Sequence, residues 1–319
     1  MALRDDLNGF LKPQSTFFGI GPPEDGDPDV GVLGVPYDAT SSYCPGSRFA
    51  PTAIRMATTH ERSHSLPLRI TGDCSYVSDY LSQLITLEDI GDLELESRLP
   101  EQAMYDISDA VYRLAKHSSH LLFLGGDHFV TYPIVKGLRR GLSKRVGLLW
   151  IDAHADYYEN YGGNQLSHAT PLWQIVNNGI VNRDDILSVD LRAALPEHRD
   201  QIRHLDNSES MLDQLQTELD LIAQRTDYLY VSVDLDVLRP ESVPGVAHPE
   251  SGGLDPETLF RLLRVIFRTG RVRCADVVEM NPLIDHCGIT SITARDVVKE
   301  ILTGFAFQKG FKQASGQLR

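Results

Sequence analysis

Cysteine is scarce in this chain of 319 residues, and long apolar runs are missing. The four cysteines, at positions 44, 74, 274 and 287, are scattered without a CxxC pair, which argues against a disulfide scaffold and indicates a reducing compartment. No uninterrupted apolar stretch approaches the roughly 20 residues needed to span a bilayer. The start of the chain turns acidic at once, which predicts that it carries no signal peptide. We therefore expect a cytoplasmic protein that does not enter a membrane.

Basic residues are also fewer than acidic ones. The chain has 30 Lys and Arg against 44 Asp and Glu, a formal net charge of −14. Nucleic-acid binding requires clustered basic residues, so we expect no nucleic-acid partner. An acidic surface raises the local concentration of cations and is compatible with a small cationic substrate. Acidity that serves only solubility is the more common explanation, because many cytoplasmic proteins are acidic.

The sequence does contain an alternation of short apolar strands and amphipathic helices. Residues 1–28 are rich in Gly and Pro and predict an irregular N-terminal arm, whereas residues 29–319 predict a single domain. Strands are predicted at 29–36, 87–92, 121–124, 148–151, 186–189, 228–234 and 274–278. Helices are predicted from 51 onward and over 100–118, 131–140, 171–178, 207–224, 255–268 and 291–304. This alternation predicts an α/β fold with one parallel, doubly wound sheet.

The most informative stretch runs from Leu148 to Asp156, where four apolar residues lead into an Asp-x-His-x-Asp triplet. A short apolar run between turn-forming segments predicts a buried parallel strand. Ligand sites of open α/β sheets lie at the C-terminal ends of such strands. Asp152, His154 and Asp156 can converge there, because residues two apart in an extended chain point the same way. Carboxylate plus imidazole is the ligand set of a divalent metal such as Mn²⁺ or Zn²⁺.

Two other predicted strands end in the same chemistry. One leads through a Gly-Gly turn to His128, and the other ends in Asp234, which Asp236 follows. Two imidazoles and four carboxylates are too many for one small cation and suit two, which together turn a bound water into a nucleophile near neutral pH. Each piece alone also has a structural explanation, as a turn histidine, a helix cap or a capping turn. Their coincidence after three apolar runs favours a two-metal site.

These stretches resemble the metal motifs of the ureohydrolase family, which includes arginases and agmatinases. They read Gly125-Gly126-Asp127-His128, Asp152-Ala153-His154-Ala155-Asp156 and Ser232-Val233-Asp234-Leu235-Asp236. Residues 45–55 and 276–282 are similar to further family segments, so that the resemblance covers most of residues 29–304. It implies a three-layer α/β/α arginase-like fold with a central, mostly parallel sheet. It also implies two Mn²⁺ ions, with Co²⁺ and Ni²⁺ as alternatives, and a homo-oligomer, either a trimer or a hexamer.

The resemblance also implies which residues bind the metals. One ion would be bound by His128 and Asp156, the other by His154 and Asp236, and both by the bridging carboxylates Asp152 and Asp234.

Catalytic roles follow from the same resemblance. Glu279 would orient the planar guanidinium of the substrate, for which a carboxylate is the natural bidentate partner. His168 would shuttle a proton to the leaving amine. We count His168, Glu279 and the metal ligand Asp156 as catalytic residues. From the residues alone, His168 is a loop histidine, and a structural ion-pair partner is the alternative role of Glu279.

The identity of the substrate depends on the loop 157–167. It is similar to the corresponding loop of microbial agmatinases and lacks the Asn and Ser residues with which arginases hold an amino-acid carboxylate. In this loop we predict Glu159 and Asn160 as substrate-binding residues, although Glu159 is equally explained as a solvated acid. We also predict His248 as a substrate-binding residue. It stands where the family commonly has a small hydroxylated residue, and Phe129 replaces a common Ser or Thr.

The resulting hypothesis is an enzyme that hydrolyses agmatine to urea and putrescine. A guanidino acid such as 4-guanidinobutyrate and an arginine-containing peptide are alternatives, and free L-arginine ranks below them. A non-catalytic relative is disfavoured because all six metal ligands are present. A two-metal phosphoesterase would add basic phosphate contacts, whereas the sequence around these motifs is acidic and aromatic.

Overall fold

The computed structural model describes residues 11–12, 17–59, 63–70 and 77–314. The strands of this part are β1 (Leu11–Lys12), β2 (Val30–Val35), β3 (Leu87–Leu93), β4 (His120–Gly125), β5 (Val146–Ile151), β6 (Ile186–Val189), β7 (His204–Leu205), β8 (Tyr228–Asp234) and β9 (Val272–Val278). They form one sheet in the order β1-β3-β2-β4-β9-β8-β5-β6-β7. Every pairing is parallel except that of β1, which runs antiparallel to β3 at the edge. The predicted α/β fold with a mostly parallel sheet is confirmed.

Helices cover both faces of this sheet. They are α1 (Ala50–Thr59), α2 (Leu81–Leu84), α3 (Pro100–Leu114), α4 (Thr131–Leu142), α5 (Pro171–Asn177), α6 (Pro196–Arg199), α7 (Met211–Ala223), α8 (Pro256–Arg268) and α9 (Ile289–Ala314). Side chains of α1, α7, α8 and α9 share one apolar cluster, and those of α3, α4 and α5 share another. Neighbouring strand residues such as Leu149 and Trp150 belong to opposite clusters, because side chains alternate along a strand. The three layers predicted from the resemblance are therefore present.

Local sequence explains where several helices begin and end. Pro occupies the first turn of α3, α5, α6 and α8, where its missing N–H leaves no hydrogen bond unmade. At the start of α8, the side chain of Asp255 accepts a hydrogen bond from the backbone N–H of Thr258 at 2.9 Å. Helix α3 ends at Leu114 rather than at the predicted residue 118. The backbone N–H of Ser118 instead donates to Asp27 at 3.1 Å.

Some short elements were not predicted. These are α6, β7 and β1, each of two to four residues. Within the predicted arm, residues 17–28 form no helix or strand, but Phe17 and Ile20 are buried in the apolar cluster that includes α1. The rest of the arm, apart from β1, lies outside the described residues. None of the described helices combines the length and the apolar character needed to cross a membrane.

Candidate metal centre and active site

The predicted site residues follow four strands that lie side by side in the middle of the sheet, in the order β4-β9-β8-β5. Asp152 comes directly after β5, Asp234 is the last residue of β8, and Glu279 comes directly after β9. His128 opens a short 3₁₀ helix just after β4. Because the carboxyl ends of parallel strands meet at one edge, all six predicted metal ligands come together there.

His128 lies at the deeper side of this cluster, with a side chain that is 1% exposed. Its Nδ1 atom lies 2.9 Å from Oδ2 of Asp152, 3.1 Å from Oδ2 of Asp234 and 3.2 Å from Oδ2 of Asp156. The ring stacks flat on Trp150, with 4.0 Å between ring centroids and 3° between planes. One imidazole nitrogen therefore faces three carboxylates.

His154 lies at the outer side, where its side chain is 26% exposed. Its Nδ1 atom lies 2.9 Å from Oδ2 of Asp236 and 3.6 Å from Oδ1 of Asp152. Its Nε2 atom lies 3.5 Å from Glu250, an acid that is 43% exposed at the rim. Asp152 thus lies between the two imidazoles and belongs to both candidate metal-binding groups, one with His128 and Asp234 and one with His154 and Asp236.

A local hydrogen bond orients the first aspartate of each of two pairs, Asp152 with His154 and Asp234 with Asp236. Oδ1 of Asp152 accepts the backbone N–H of His154 at 2.6 Å, and Oδ1 of Asp234 accepts that of Asp236 at 2.8 Å. Each first aspartate therefore closes a turn with one oxygen. This leaves its Oδ2 atom directed at the centre of the cluster, where it approaches His128.

The donor set fits divalent cations. Nδ1 of His128 and Oδ2 of Asp152 are buried without a hydrogen-bond partner, although they lie close together. A single imidazole nitrogen carries one proton or one lone pair and cannot satisfy three carboxylates. Burial and the negative charges of Asp236 and Asp152 raise the pKa of Asp234 well above its usual value. The site therefore requires more positive charge than its two histidines supply.

Glu279 lies beside this cluster in a constrained position. It is buried and has a φ of 64°, in the left-handed region that a residue other than glycine rarely adopts. Its Oε1 atom accepts the backbone N–H of His128 at 2.7 Å, and its Oε2 atom is buried without a partner. Burial and the nearby charges of Asp234 and Asp127 raise its pKa well above its usual value. A buried carboxylate oxygen in this state is suited to bind a cationic ligand.

The turn before His128 depends on Gly126, but not for the turn conformation that the Gly-Gly sequence predicts. Gly126 does not have a positive φ. A Cβ atom at this position would instead lie 1.8 Å from the carbonyl oxygen of Tyr37, so the glycine permits close approach of two backbones. Phe129, the departure from the family pattern, is buried and packs its ring against Tyr37. It therefore belongs to the core rather than to the cleft.

His168 lies above the metal cluster and is held by the loop after β2. Its Nδ1 atom donates to the carbonyl oxygen of Thr40 at 2.7 Å, because a carbonyl only accepts. The hydroxyl and backbone N–H of Thr40 both donate to Asp127, at 2.6 and 3.2 Å. Burial lowers the pKa of His168, and the hydrogen bond to Thr40 opposes this shift. The ring is therefore neutral near pH 7, with the lone pair on Nε2.

His248 forms the opposite wall. Its ring stacks on that of His168, with 5.0 Å between centroids and 10° between planes. The Nε2 atoms of both rings lie within hydrogen-bond distance of the Ser42 hydroxyl, at 3.2 Å for His168 and 3.3 Å for His248. Burial lowers the pKa of His248 to about 4, with a smaller contribution from repulsion by His168 when that ring is protonated, so this wall is uncharged near neutral pH.

A cleft of about 160 Å³ opens between these walls and the metal cluster. His154, Asp156, Asp234, Asp236, Glu279, His168 and His248 line it, and Tyr158, Tyr161 and His198 form an aromatic side. None of the described residues that line the cleft is a Lys or an Arg. The cleft is therefore acidic at its base and aromatic along its sides.

The structure does not bring Glu159 and Asn160 to this cleft. Both are exposed and lie outside its lining. The side chain of Asn160 accepts the backbone N–H of Gly163 at 2.8 Å and so caps a turn within the loop. The sequence pattern identified the loop, but its neighbouring residues Tyr158 and Tyr161 are the ones that face the cleft.

Several supporting residues were missed by the sequence analysis. Ser42 lies in an unremarkable Ser-rich loop. Arg192 fastens the segment after β8 to the rim, because its guanidinium donates to the carbonyl oxygens of Asp236 at 2.7 Å and Glu250 at 3.2 Å. Neither residue carries a local pattern that marks it, since their partners lie far away along the chain.

Comparison with known sequences agrees with this geometry. The sequence profile of the arginase family matches residues 28–304. The chain belongs to the arginase family of ureohydrolases, enzymes that hydrolyse C–N bonds of guanidino groups.

The individual relatives are named for more than one activity. The chain is 29% identical to an agmatinase of Bacillus subtilis over 288 residues, which cover 89% of this chain and 94% of the relative. It is 31% identical to a mitochondrial arginase of Medicago truncatula over 289 residues, covering 85% and 80%. Among solved structures, the proclavaminate amidino hydrolase of Streptomyces clavuligerus is similar at a TM-score of 0.76 and 28% identity, covering 93% of this chain and 99% of that one.

Proposed function

We propose that this protein is a binuclear Mn²⁺ amidinohydrolase that hydrolyses agmatine to urea and putrescine. The observation that carries the proposal is the buried, unpartnered Oε2 atom of Glu279 in a cleft whose base is formed by the metal-ligand carboxylates. A planar guanidinium is the cation that a carboxylate pairs with best, through two parallel hydrogen bonds. The cleft thus places a guanidinium-binding acid next to a candidate two-metal centre.

We assign the six ligands as the sequence resemblance implies. His128 and Asp156 would bind one ion, His154 and Asp236 the other, and Asp152 and Asp234 would bridge them. The central position of Asp152 between the imidazoles supports the bridging assignment. Two bound cations would offset the four aspartate charges and lower the pKa of a bound water, so that it serves as the nucleophile near neutral pH.

Substrate binding and proton transfer would fall to Glu279 and His168. Glu279 would bind the guanidinium through the negative charge of its carboxylate and would align the plane of the guanidinium with that of the carboxylate. His168 is neutral, with the lone pair on Nε2, and would take up a proton at this atom and pass it to the leaving amine. The contact between Nδ1 of His168 and Thr40 would keep the ring oriented while the proton moves.

The tail of the substrate distinguishes agmatine from the alternatives. Free L-arginine, 4-guanidinobutyrate and other guanidino acids carry a carboxylate, and the described lining of the cleft offers no Lys or Arg to receive it. The ammonium of agmatine would instead meet aromatic rings and the acid Glu250 at the rim. The agmatinase relative supports this choice. The arginase relative makes L-arginine the second candidate.

The test is urea release by the Mn²⁺-loaded protein from agmatine, L-arginine, 4-guanidinobutyrate and an arginine-containing peptide, with Asp152→Ala as the blank. Urea from agmatine at the highest kcat/KM supports the proposal. Preference for a carboxylate-bearing substrate would contradict the assignment of the tail. Absence of urea from every substrate by a protein that retains two ions would contradict the function.

Three further expectations accompany this proposal. We expect Mn²⁺ as the native ion, with Co²⁺ and Ni²⁺ as alternatives, because a ligand set dominated by carboxylates suits Mn²⁺. The homo-oligomer and the cytoplasmic location remain predictions of the sequence analysis. Metal analysis of the purified protein and its mass in solution would test the first two.

A further inference from the structure

Five aromatic rings line the cleft and contact one another in series. His198 contacts Tyr158 with 4.6 Å between ring centroids and 90° between planes, and Tyr158 contacts Tyr161 at 5.4 Å and 64°. Tyr161 contacts His168 at 5.5 Å and 79°, and His168 stacks on His248. We call these five rings the aromatic collar. Because three of the four contacts are closer to perpendicular than to parallel, the collar turns around the opening and offers ring faces as well as edges to a ligand.

The rest of the described lining offers a cation no neutral polar side chain. Apart from the collar, Glu279 and the metal ligands, it consists of Ala155, Ala169, Ala193, Ala194 and Leu195. None of the described residues that line the cleft is a Ser, Thr, Asn or Gln. The rim acid Glu250 is 43% exposed, so solvent screens its charge. A substrate tail that reaches the collar therefore meets rings and apolar side chains.

The charge distribution of the rings favours a cation. The face of an aromatic ring is negative, so it attracts an ammonium and repels a carboxylate. Burial lowers the pKa of His198 and that of His168, and it lowers the pKa of His248 to about 4. The three imidazoles are therefore neutral near pH 7 and do not repel a positive tail.

We propose that the aromatic collar is the subsite for the tail of the substrate and that it selects a cation by contact with ring faces rather than by charge pairing or hydrogen bonds. This inference rests on the proposed function and narrows it. The substrate class is then a guanidinoalkyl cation, including one whose tail nitrogen is alkylated. Methyl groups on that nitrogen remove its N–H donors but leave the charge that the rings attract. A site with a carboxylate or amide partner would reject such a tail, because its polar groups would be left unpaired.

The experiment compares two substrates of the same shape. One is the trimethylammonium derivative of agmatine, and the other is its tert-butyl isostere, in which carbon replaces the quaternary nitrogen. Neither tail can donate a hydrogen bond, so the two differ in charge. We expect kcat/KM for urea release by the Mn²⁺-loaded protein to be about 3- to 30-fold higher for the cation, which corresponds to the usual strength of cation–π contacts.

Variants of the two tyrosines test whether the rings produce this preference. Tyr158→Leu and Tyr161→Leu remove a ring face each, and we expect the preference to decrease through a higher KM for the cation. Tyr158→Phe and Tyr161→Phe lose only the hydroxyl group and should keep the preference. Tyr105→Leu is the matched control, because Tyr105 is an exposed tyrosine of α3 outside the cleft lining. Glu250→Gln should lower the preference less than Tyr158→Leu does, because solvent screens this acid.

A second readout does not depend on catalysis. Saturation-transfer NMR with butyltrimethylammonium, which carries no guanidinium, reports whether the N-methyl protons lie against the protein. We expect transfer to these protons in the parent and in Tyr158→Phe, and weaker transfer in Tyr158→Leu. A general loss of stability would not separate the Phe variant from the Leu variant in this way.

Several results would overturn the proposal. Equal kcat/KM for the two isosteres, or urea from agmatine but from neither analogue, would show that the collar does not bind an alkylated cation. Loss of the preference in the Phe variants would assign it to the hydroxyl groups. A larger loss in Glu250→Gln than in Tyr158→Leu would assign it to charge pairing. If the parent releases no urea from agmatine or either analogue, the proposed function is wrong, and the NMR measurement then decides separately whether the collar binds the cation.

Discussion

The two sides of the candidate metal centre differ in depth and support. The His128 side is 1% exposed, stacked on Trp150 and connected to a buried hydroxyl network. The His154 side is 26% exposed and faces the rim acid Glu250 and the ring of His248. The ligands are similar on both sides, so the difference lies in what surrounds them. One side of the cluster is thus deep and enclosed, and the other opens onto the cleft.

The largest effect is expected where the two sides meet. Asp152→Ala removes the carboxylate that lies against both imidazoles. We expect loss of both ions and a decrease in kcat/KM of about 10³-fold or more, since several kcal/mol of transition-state stabilisation disappear. Metal content and urea release measure both effects. Retention of two ions with activity near that of the wild type would show that Asp152 does not bridge.

Glu279→Gln tests the substrate-binding group next to the deeper side. The amide keeps an oxygen for the backbone N–H of His128 but loses the charge that would pair with the guanidinium. We expect kcat/KM to fall about 10²- to 10³-fold, because truncating one partner of a buried charge pair costs about 2–5 kcal/mol. The bound ions should remain. A variant that loses its ions as well would place Glu279 in the metal centre instead.

His168→Asn tests the wall above the open side. We expect kcat to fall about 10²-fold, as is typical when a proton-transfer group is removed. Burial lowers the pKa of His168, so its neutral, active form should persist above a value that lies below the usual pKa of about 6.5. Activity of the wild type should decrease as the pH falls through that value, and this decrease should be absent from the variant. The same acidic decrease in both proteins would assign it to another group.

His248→Thr removes an aromatic ring from the rim of the open side while keeping a hydroxyl near Ser42. We expect KM for agmatine to rise by about tenfold or less, because one wall of the cleft is lost, with kcat little changed. His248→Phe serves as the control, since it retains a ring that can stack on His168. Identical substrate preference in the Thr variant, the Phe variant and the wild type would show that the ring does not select the substrate.

The smallest effect is expected at Glu159, which is exposed outside the cleft lining. Glu159→Gln should change kcat/KM for agmatine by less than about twofold, because solvent screens an exposed charge. The measurement is urea release at two salt concentrations. A loss of tenfold or more would return Glu159 to the set of substrate-binding residues that the sequence predicts.

Much of the fold and of the candidate site follows from local sequence. The strands at 186–189 and 228–234 lie at the predicted residues, because short apolar runs between turn-forming segments are a strong local signal. The six predicted ligands come together because their motifs follow strands that share one edge of the sheet. The sequence could thus predict which groups meet, without showing how each is oriented.

Other features depend on contacts between distant parts of the chain. The hydroxyl of Ser232 contacts both Asp276 and His128, and Ser42 lies between two histidines that are 126 and 206 residues away. No local period reports such partners. The loop 157–167 shows the same limit. Its pattern predicts the substrate side, but side-chain directions in an irregular turn are not periodic. The sequence therefore predicts Glu159 as a substrate-binding residue, whereas Tyr158 faces the cleft.

The central claim is that the six ligands form a two-metal centre, with a deep position at His128 and an open position at His154. It is tested most directly by removing Mn²⁺ stepwise with a chelator of graded concentration, while metal content and Trp150 fluorescence are followed in the Trp173→Phe background. We predict that two ions leave and that one of them accounts for most of the fluorescence change, because only His128 of the two histidines stacks on Trp150. A protein that holds fewer than two ions, or a fluorescence change shared equally between the two ions, would contradict the account.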